Sequence, residues 1–310
     1  MRRFFVTLNW NTTGLLKRLI ETVDTTTLIP HTWVIVENGS LDRERRDALR
    51  YCADRFAGSF GVFSEDKATW GNPGKGEMDC VVVRSVSNLG CVLGHNLAFD
   101  MCSAIADGEP YDIVMMDSDV EVYQEDWLKA VYDHIDSTVN RQGVIGLEHS
   151  SAEVCAGAVF LDTSGNWYLH GGQTTRKVPV VAESVGLGMA MLKWPVPKLR
   201  FDTGFVLYYK QDDDLCFQVR ANLGLDVEAY PIDMIHWGSR ALRENDYQVN
   251  EDVRGRESFE EVKRKNQKYF AQKWAWALRG RRPTLQAEAV HLEEIAALML
   301  ERRLDSGLTS

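Results

Sequence analysis

Long apolar runs, proline and paired cysteines are what this sequence has least of. No uncharged apolar stretch approaches the ~20 residues that a membrane-spanning helix needs, so a membrane-spanning protein is not expected. Only 8 prolines stand among 310 residues, of which 45% are hydrophobic. That composition excludes collagen-like, low-complexity and wholly disordered chains. The six cysteines (Cys52, Cys80, Cys91, Cys102, Cys155, Cys216) include no CxxC pair, and several lie inside apolar runs. They predict reduced, buried thiols in a cytosolic protein, not a disulfide frame or a zinc site. The opening residues Met1 to Asn9 carry basic side chains but turn polar too soon for a signal peptide. Basic charge is also in short supply: 35 Lys+Arg against 45 Asp+Glu leave a net charge of −10. Such a surface argues against indiscriminate binding to nucleic acid or membranes, which relies on neutralising phosphates.

What is present is an alternation of strand and helix signals, on a length that suits one main domain with an appendage. Phe4 to Leu8 is a short β-prone run, and Leu15, Leu16, Leu19, Ile20 and Val23 then recur at helical spacing. Trp33 to Val36 is apolar throughout, as a parallel strand covered on both faces should be. A helix-like segment from Leu41 to Phe56 follows it. Val81 to Val83 and Tyr111 to Met116 are further strands, with helices expected over Leu93 to Ile105 and around Trp127, Val131 and Ile135. From Gly143 to Trp194 the signals shorten to Val144–Leu147, Ala158–Leu161 and Met189–Leu192, and Thr163 to Gly188 reads as a glycine-interrupted mobile loop. The pattern predicts a layered α/β domain with a mostly parallel sheet flanked by helices.

The C-terminal segment differs. Between Arg254 and Arg282 ten basic residues stand against three acidic ones. Helices are expected over Ser258 to Leu278 and Thr284 to Leu304, with Pro283 at the break. The basic stretch, with Tyr269, Phe270, Trp274 and Trp276, reads in two ways. It is a helix docking an aromatic face on the body, or a surface for a phosphate-bearing acceptor such as nucleic acid or a lipid-linked diphosphate. The last helix, with Leu292, Ile295, Met299 and Leu300, is a candidate homodimer contact.

In a parallel α/β sheet ligands bind beyond the carboxyl ends of the strands. Polar groups stand at four such ends: Thr7-Leu8-Asn9, Glu37-Asn38-Gly39-Ser40, Asp117-Ser118-Asp119, and Gln211-Asp212-Asp213-Asp214 opening a helix with Leu215, Val219 and Leu223 on one face. Two carboxylates on same-side positions of an extended segment can share a divalent cation with a diphosphate, because Mg²⁺ and Mn²⁺ take oxygen ligands.

Together with Asn88-Leu89-Gly90 through Gly94-His95-Asn96, and with Phe201-Asp202 and His236-Trp237-Gly238, these pieces resemble the family 2 inverting glycosyltransferases of GT-A fold, most of all the rhamnosyltransferase-like members. The ordered set covers about residues 4–240. The resemblance implies a GT-A domain over 1–240 and a helical extension over 241–310. It also implies a nucleotide-diphosphate sugar as donor and a cytosolic enzyme that uses Mn²⁺ or Mg²⁺. Thr7, Asn9 and Glu37 would line the nucleotide pocket, with Asn38 and Ser40 in its wall. Asn88, Gly90, Gly94 and Asn96 would form the loop and helix start near nucleotide and sugar. Asp117 would sit near the ribose or a metal-bound water, Asp119 would bind the metal, and His236 would complete the metal or diphosphate site. Asp212 corresponds to the family's catalytic base, and Gln211 departs from the family's usual Glu. The like charges of Asp213 and Asp214 should raise the pKa of the base, and a helix N-terminus should lower it.

Beside these roles stand structural ones. Asp202 either caps the turn after Phe201 or touches the acceptor. Asp213 is expected on the exposed helix surface, Asp214 as a cap or at the acceptor, and Trp10 as pocket wall or core. His95 and His170 are expected to be surface or loop histidines and are given no role. The acceptor is left open among a glycan, a lipid carrier, a protein and modified DNA. Two other functions share such a sheet: a sugar nucleotidyltransferase, and a non-catalytic nucleotide-sugar-binding module. The first usually has a Gly-rich, Arg-containing loop after strand one, which Asn9 to Gly14 does not resemble.

Overall fold

The computed structural model of the chain describes residues 1–73, 78–138, 141–149, 160–161, 167–168, 179–207, 209–237 and 259–278. Strand β1 (Arg2–Asn9) leads into helix α1 (Thr13–Thr26), β2 (Thr32–Asn38), α2 (Asp42–Arg55), β3 (Phe60–Ser64) and β4 (Cys80–Ser85). Then come α3 (Gly90–Ala106), β5 (Tyr111–Met116), β6 (Val120–Val122), α4 (Trp127–Ser137) and β7 (Gln142–His149). The short pair β8 (Phe160–Leu161) and β9 (Trp167–Tyr168) precedes β10 (Val180–Ala182), β11 (Met189–Leu192), α5 (Gln211–Gln218), β12 (Asp226–Ile232) and β13 (Met234–His236). Helices α6 (Phe259–Lys273) and α7 (Ala275–Leu278) follow.

Nine of these strands form one sheet in the order β10-β12-β7-β11-β5-β1-β2-β4-β3. Strand β1 runs parallel to both β2 and β5, β4 runs parallel to β2 and β3, and β12 runs parallel to β7. Within this sheet, among the described residues, antiparallel pairing is confined to β11, against β5 and β7, and to β10 against β12. Alternate side chains of a strand face opposite sides of the sheet, and both sides are apolar here. Phe4, Val6, Val34, Val36, Ile113 and Met115 pack under α3, while Phe5, Trp33, Ile35, Val114 and Met116 join Leu16, Leu19, Trp127 and Val131 of α1 and α4. Burial of each such large side chain stabilises by ~1.5–3 kcal/mol, so the strand ends that carry polar groups are rigidly held. Because β1, β2, β4 and β5 are parallel, Asn9, Asn38, Ser85 and Asp117 emerge on one rim. The antiparallel β11 begins there too, since Met189 pairs with Met116.

Several boundaries differ from the sequence expectation. The expected loop from Thr163 to Gly188 contains β9 and β10, and β10 is a sheet strand paired with β12. The apolar run Ile232–Ile235 is divided between β12 and β13, with Asp233 at the bend. The strand β3 escapes notice because Phe60-Gly61-Val62-Phe63-Ser64 is a half-exposed edge with no fully apolar face. The helix carrying Leu215 to Leu223 changes to a π-helical turn over Val219–Leu223, and a turn at Trp274 separates α6 from α7. Cys52, Cys80, Cys102 and Cys216 are buried free thiols and Cys91 is half-buried. Cys155, His170, Gly238, the basic residues outside 259–278 and the helix expected over 284–304, with its dimer contact, lie outside the described residues. No described helix is long and apolar enough to cross a membrane.

Candidate active site

The sharpest feature of the rim is a cluster of two carboxylates and an imidazole. Asp117 and Asp119 follow β5 directly, and His236 is brought to them by a two-stranded sheet in which β13 pairs antiparallel with β6, His236 opposite Val120. The pairing is locked by the Trp237 amide, which donates to the Asp119 carbonyl at 3.0 Å. His236 Nε2 then lies 3.4 Å from Asp117 Oδ2 and 3.3 Å from Asp119 Oδ1. Ligand atoms of the three residues all fall within 4.8 Å of one another. Burial opposes charge on His236, but hydrogen bonds and charge from Asp117 and Asp119 raise its pKa well above the ordinary value. The cluster therefore demands positive charge, as a proton or as a cation, and carboxylate oxygens with one imidazole suit Mn²⁺.

Gly188 makes room for this arrangement. Its carbonyl accepts from the Asp117 amide at 2.6 Å, and a Cβ on it would stand 2.4 Å from His236 Cε1 and 2.9 Å from Nδ1. Gly188→Ala should therefore displace the imidazole and crowd Asp117 Oδ2, 3.3 Å from that Cβ, and a divalent cation held by this cluster would bind ~10–100-fold more weakly, the usual effect of disturbing the support of a metal ligand. A calorimetric Mn²⁺ titration checks this, and unchanged affinity would contradict the placement of His236.

The neighbouring strand ends carry the nucleotide-side candidates. Glu37 is 1% exposed. Its Oε1 accepts from the Ser40 amide at 2.9 Å, and burial raises its pKa against that bond. Thr7 Oγ1, Asn9 Nδ2 and Glu37 Oε2 are buried with no hydrogen-bond partner among the described residues. Asn9 Oδ1 accepts from Thr12 Oγ1 at 3.2 Å, and Thr12 Oγ1 lies 3.2 Å from Ser118 Oγ, which ties β1 to the Asp117–Asp119 turn. Asn38 joins Asn88 through Nδ2 at 3.1 Å and accepts from the Leu89 amide at 2.9 Å. The Gly90 amide donates to Asn88 Oδ1 at 2.8 Å. Gly90 has φ +71°, a left-handed conformation that favours glycine, and lies against Leu207. Gly94 sits over Leu8, where a Cβ would stand 3.0 Å from Leu8 Cδ1. Asn96 is placed differently: both ends of its amide hold the Phe201 backbone, at 2.9 and 2.8 Å.

Asp212 reaches the same rim from α5. Its Oδ2 accepts from the Leu187 amide at 3.4 Å, one residue from the glycine that holds Asp117 and faces His236. Burial, then the charges of Asp117 and Asp213, push its pKa up to about 7, against the hydrogen bonds from Leu187 and Gln211. Burial and like charge thus prevail over the helix N-terminus, and Asp214 is not among the causes.

Three sequence expectations are corrected. Asp213 is not exposed: it is 2% exposed and its Oδ2 lies 3.0 Å from Nζ of the equally buried Lys210. Asp214 is fully buried and neither caps the helix nor faces solvent, since it accepts from Trp274 Nε1 at 2.7 Å and from Gln218 Nε2 at 2.7 Å. His95 is no surface histidine: it is buried against Phe201, and burial lowers its pKa to about 4, so it is neutral. The residues missed were Lys210 and Gly188. A lysine between an aromatic pair and an acidic helix start carried no signal of burial, and a glycine before a strand no signal of a histidine some fifty residues away.

No protein-family model and no curated protein matches the chain. Solved structures do. A mannosyltransferase from Pyrobaculum calidifontis, in complex with GDP-Man and Mn²⁺, is 13% identical with a TM-score of 0.50, the match covering 100% of this chain and 81% of that one. TarS residues 1–349 from S. aureus is 12% identical with a TM-score of 0.43, over 95% of this chain and 77% of that one. A UDP-glucose pyrophosphorylase from Acinetobacter baumanii is 11% identical with a TM-score of 0.43, over 97% and 100%. The likeness to the mannosyltransferase is one of fold: a GT-A-like, mostly parallel sheet between helices.

Proposed function

We propose that the chain is a metal-dependent inverting glycosyltransferase, of the family 2 type and rhamnosyltransferase-like, that moves a sugar from a nucleoside-diphosphate sugar to an acceptor hydroxyl. One observation carries the reading. The consecutive residues Leu187 and Gly188 touch Asp212 on one side and the Asp117–Asp119–His236 cluster on the other. Contact of both with one two-residue segment supports reading Asp212 as a base beside a cation site, the pairing that inversion at an anomeric carbon calls for.

The roles follow from the chemistry of each group. Asp119, Asp117 and His236 would hold Mn²⁺ or Mg²⁺, which when bound neutralises charge on a departing diphosphate. Asp212, with a pKa near 7, takes the acceptor hydroxyl's proton. The unpartnered Thr7 Oγ1, Asn9 Nδ2 and Glu37 Oε2 support a pocket for a hydrogen-bonding base and ribose, since buried polar groups are rarely left unsatisfied. Asn38, Ser40, Asn88 and Gly90 shape its wall, and Gly94 permits close packing beneath it. The mannosyltransferase of like fold holds GDP-Man and Mn²⁺, and the same class of donor and ion is proposed here.

A thermal-shift panel of UDP-, GDP- and dTDP-sugars, with and without Mn²⁺, tests the reading. A donor at a hundred times its Kd stabilises the native state by ~2.7 kcal/mol, and the melting point should rise by a few degrees for one nucleotide class, only when Mn²⁺ is present. No shift with any nucleotide, and no effect of chelator, would overturn it.

A further inference from the structure

We propose that Lys273, with Asn266 and Trp274 of the same C-terminal helical segment, is a positioning residue for Asp212. The proposal rests on the reading of Asp212 as the base. The helix engages the polypeptide on both sides of that residue. Upstream, Asn266 is 1% exposed and brackets the loop before α5. Its Nδ2 donates to the carbonyls of Val206 at 2.8 Å and Tyr209 at 3.2 Å, while its Oδ1 accepts from the Val206 amide at 3.1 Å. Tyr269 donates to Asp202 Oδ2 at 2.9 Å and fills the space over Gly204, where a Cβ would stand 2.5 Å from its Cζ. Lys273 Nζ spans both sides, 2.6 Å from Asp202 Oδ2 upstream and 2.7 Å from Asp214 Oδ1 downstream, and Trp274 Nε1 donates to that same Asp214 oxygen.

One ammonium thus joins the start of the loop to the helix turn that carries the base. The loop's other side is held as well, since the Leu207 carbonyl accepts from the Cys91 amide at 2.9 Å. Apolar packing seals the joint, with Phe270 and Trp274 each 5.4 Å from the Phe217 ring. Lys210, which pairs with Asp213, has its Nζ 5.3 Å from the Phe270 ring centre. Asp213 and Asp214, the two residues after the base, are therefore each fixed by contacts that lead to α6. A fully buried carboxylate such as Asp214 is costly without its cation, so removing the Lys273 charge forces Asp214 to move or to take up a proton. Movement of Asp214 shifts the turn on which Asp212 sits, and its protonation removes the ion pair that ties that turn to Lys273.

Hydrogen–deuterium exchange and donor hydrolysis on the full-length chain test this together, comparing wild type with Lys273→Met and Lys273→Arg. The probes are GDP-mannose, UDP-glucose and dTDP-rhamnose with Mn²⁺ and water as acceptor. In Lys273→Met, exchange across 201–218 should quicken at least tenfold while peptides from β1 and β5 stay unchanged. Hydrolysis should fall at least tenfold with the half-saturating donor concentration within twofold, and Lys273→Arg should restore most of both. The proposal is overturned by unchanged exchange over 201–218, by a rise spread evenly along the chain, or by hydrolysis and donor binding falling together. If wild type neither hydrolyses a donor nor shows a nucleotide-dependent melting shift, the glycosyltransferase reading fails instead, and in the absence of hydrolysis the exchange pattern alone decides whether α6 holds the α5 turn.

Discussion

Asp212→Asn is expected to lower turnover by ~10²–10⁴-fold, the usual contribution of a positioned general base, with donor affinity within about twofold of wild type. The amide is nearly isosteric and still accepts from the Leu187 amide, which now reaches the side chain at 3.4 Å. What is lost is the ability to take a proton. The pH dependence of the wild type is a companion result. Burial and the charges of Asp117 and Asp213 raise the pKa of Asp212 to about 7, and the base works only when ionised, so kcat/KM should fall as pH drops. A cation beside Asp117 offsets one of the two repulsions, which places the acid limb below 7 yet above the ordinary carboxylate value of about 3.9. Stability should move the other way. A carboxyl whose pKa is raised on folding favours the native state only while protonated, and that contribution disappears as pH rises through the folded value. At pH 8 the ionised Asp212 is therefore a burden, and metal-free Asp212→Asn should melt higher than wild type, with the gap closing toward pH 4. Steady-state rates, donor titrations and melting curves across that range check the set. Transfer that survives the substitution at more than a tenth of the wild-type rate would remove Asp212 from the chemistry.

The parallel centre of the sheet was legible because its strands announce themselves. Trp33 to Val36 and Ile113 to Met116 are apolar on both faces, as a strand covered by helices on both sides should be, and Phe4 to Leu8 is broken only by Thr7. The Asp-Ser-Asp turn was legible for the same reason, since it directly follows such a run. Pairings across the chain were not. Asp213 looked like surface because charge in the first turn of a helix usually faces water, and its partner Lys210 stands in a left-handed conformation, φ +69°, that no spacing rule anticipates. Asp214 is satisfied by Lys273 and Trp274, some sixty positions on. The basic, aromatic C-terminal stretch had two readings. The docking reading describes the inner face of α6 and the turn after it, where Phe270 and Trp274 are buried. Short strands such as β6 and β13 have too few residues for periodicity to register, although they are what brings His236 to Asp119.

Asp119→Asn should abolish Mn²⁺-dependent stabilisation and reduce transfer by at least 10³-fold, which corresponds to about 4 kcal/mol of transition-state stabilisation. Asp117→Asn should have the smaller effect. Asp119 is 4% exposed and Asp117 is an exposed residue with the solvent to screen it, so the charge of Asp119 counts for more. Without metal, the same carboxylates hold a proton on His236. A histidine whose pKa is raised on folding stabilises the native state fully below its unfolded value, and the contribution is lost as pH rises through the folded one. Metal-free wild type should therefore lose stability on that rise, because two carboxylates are left facing each other across a neutral imidazole. Mn²⁺ competes with the proton for the site, so the melting-point gain from the ion should grow with pH in wild type and vanish in Asp119→Asn. The imidazole proton signals of His236, followed by NMR, should titrate at lower pH in either substituted protein. Equal Mn²⁺ stabilisation of Asp119→Asn and wild type would show that the ion binds elsewhere, and would leave Asp117, Asp119 and His236 as a proton-sharing cluster alone.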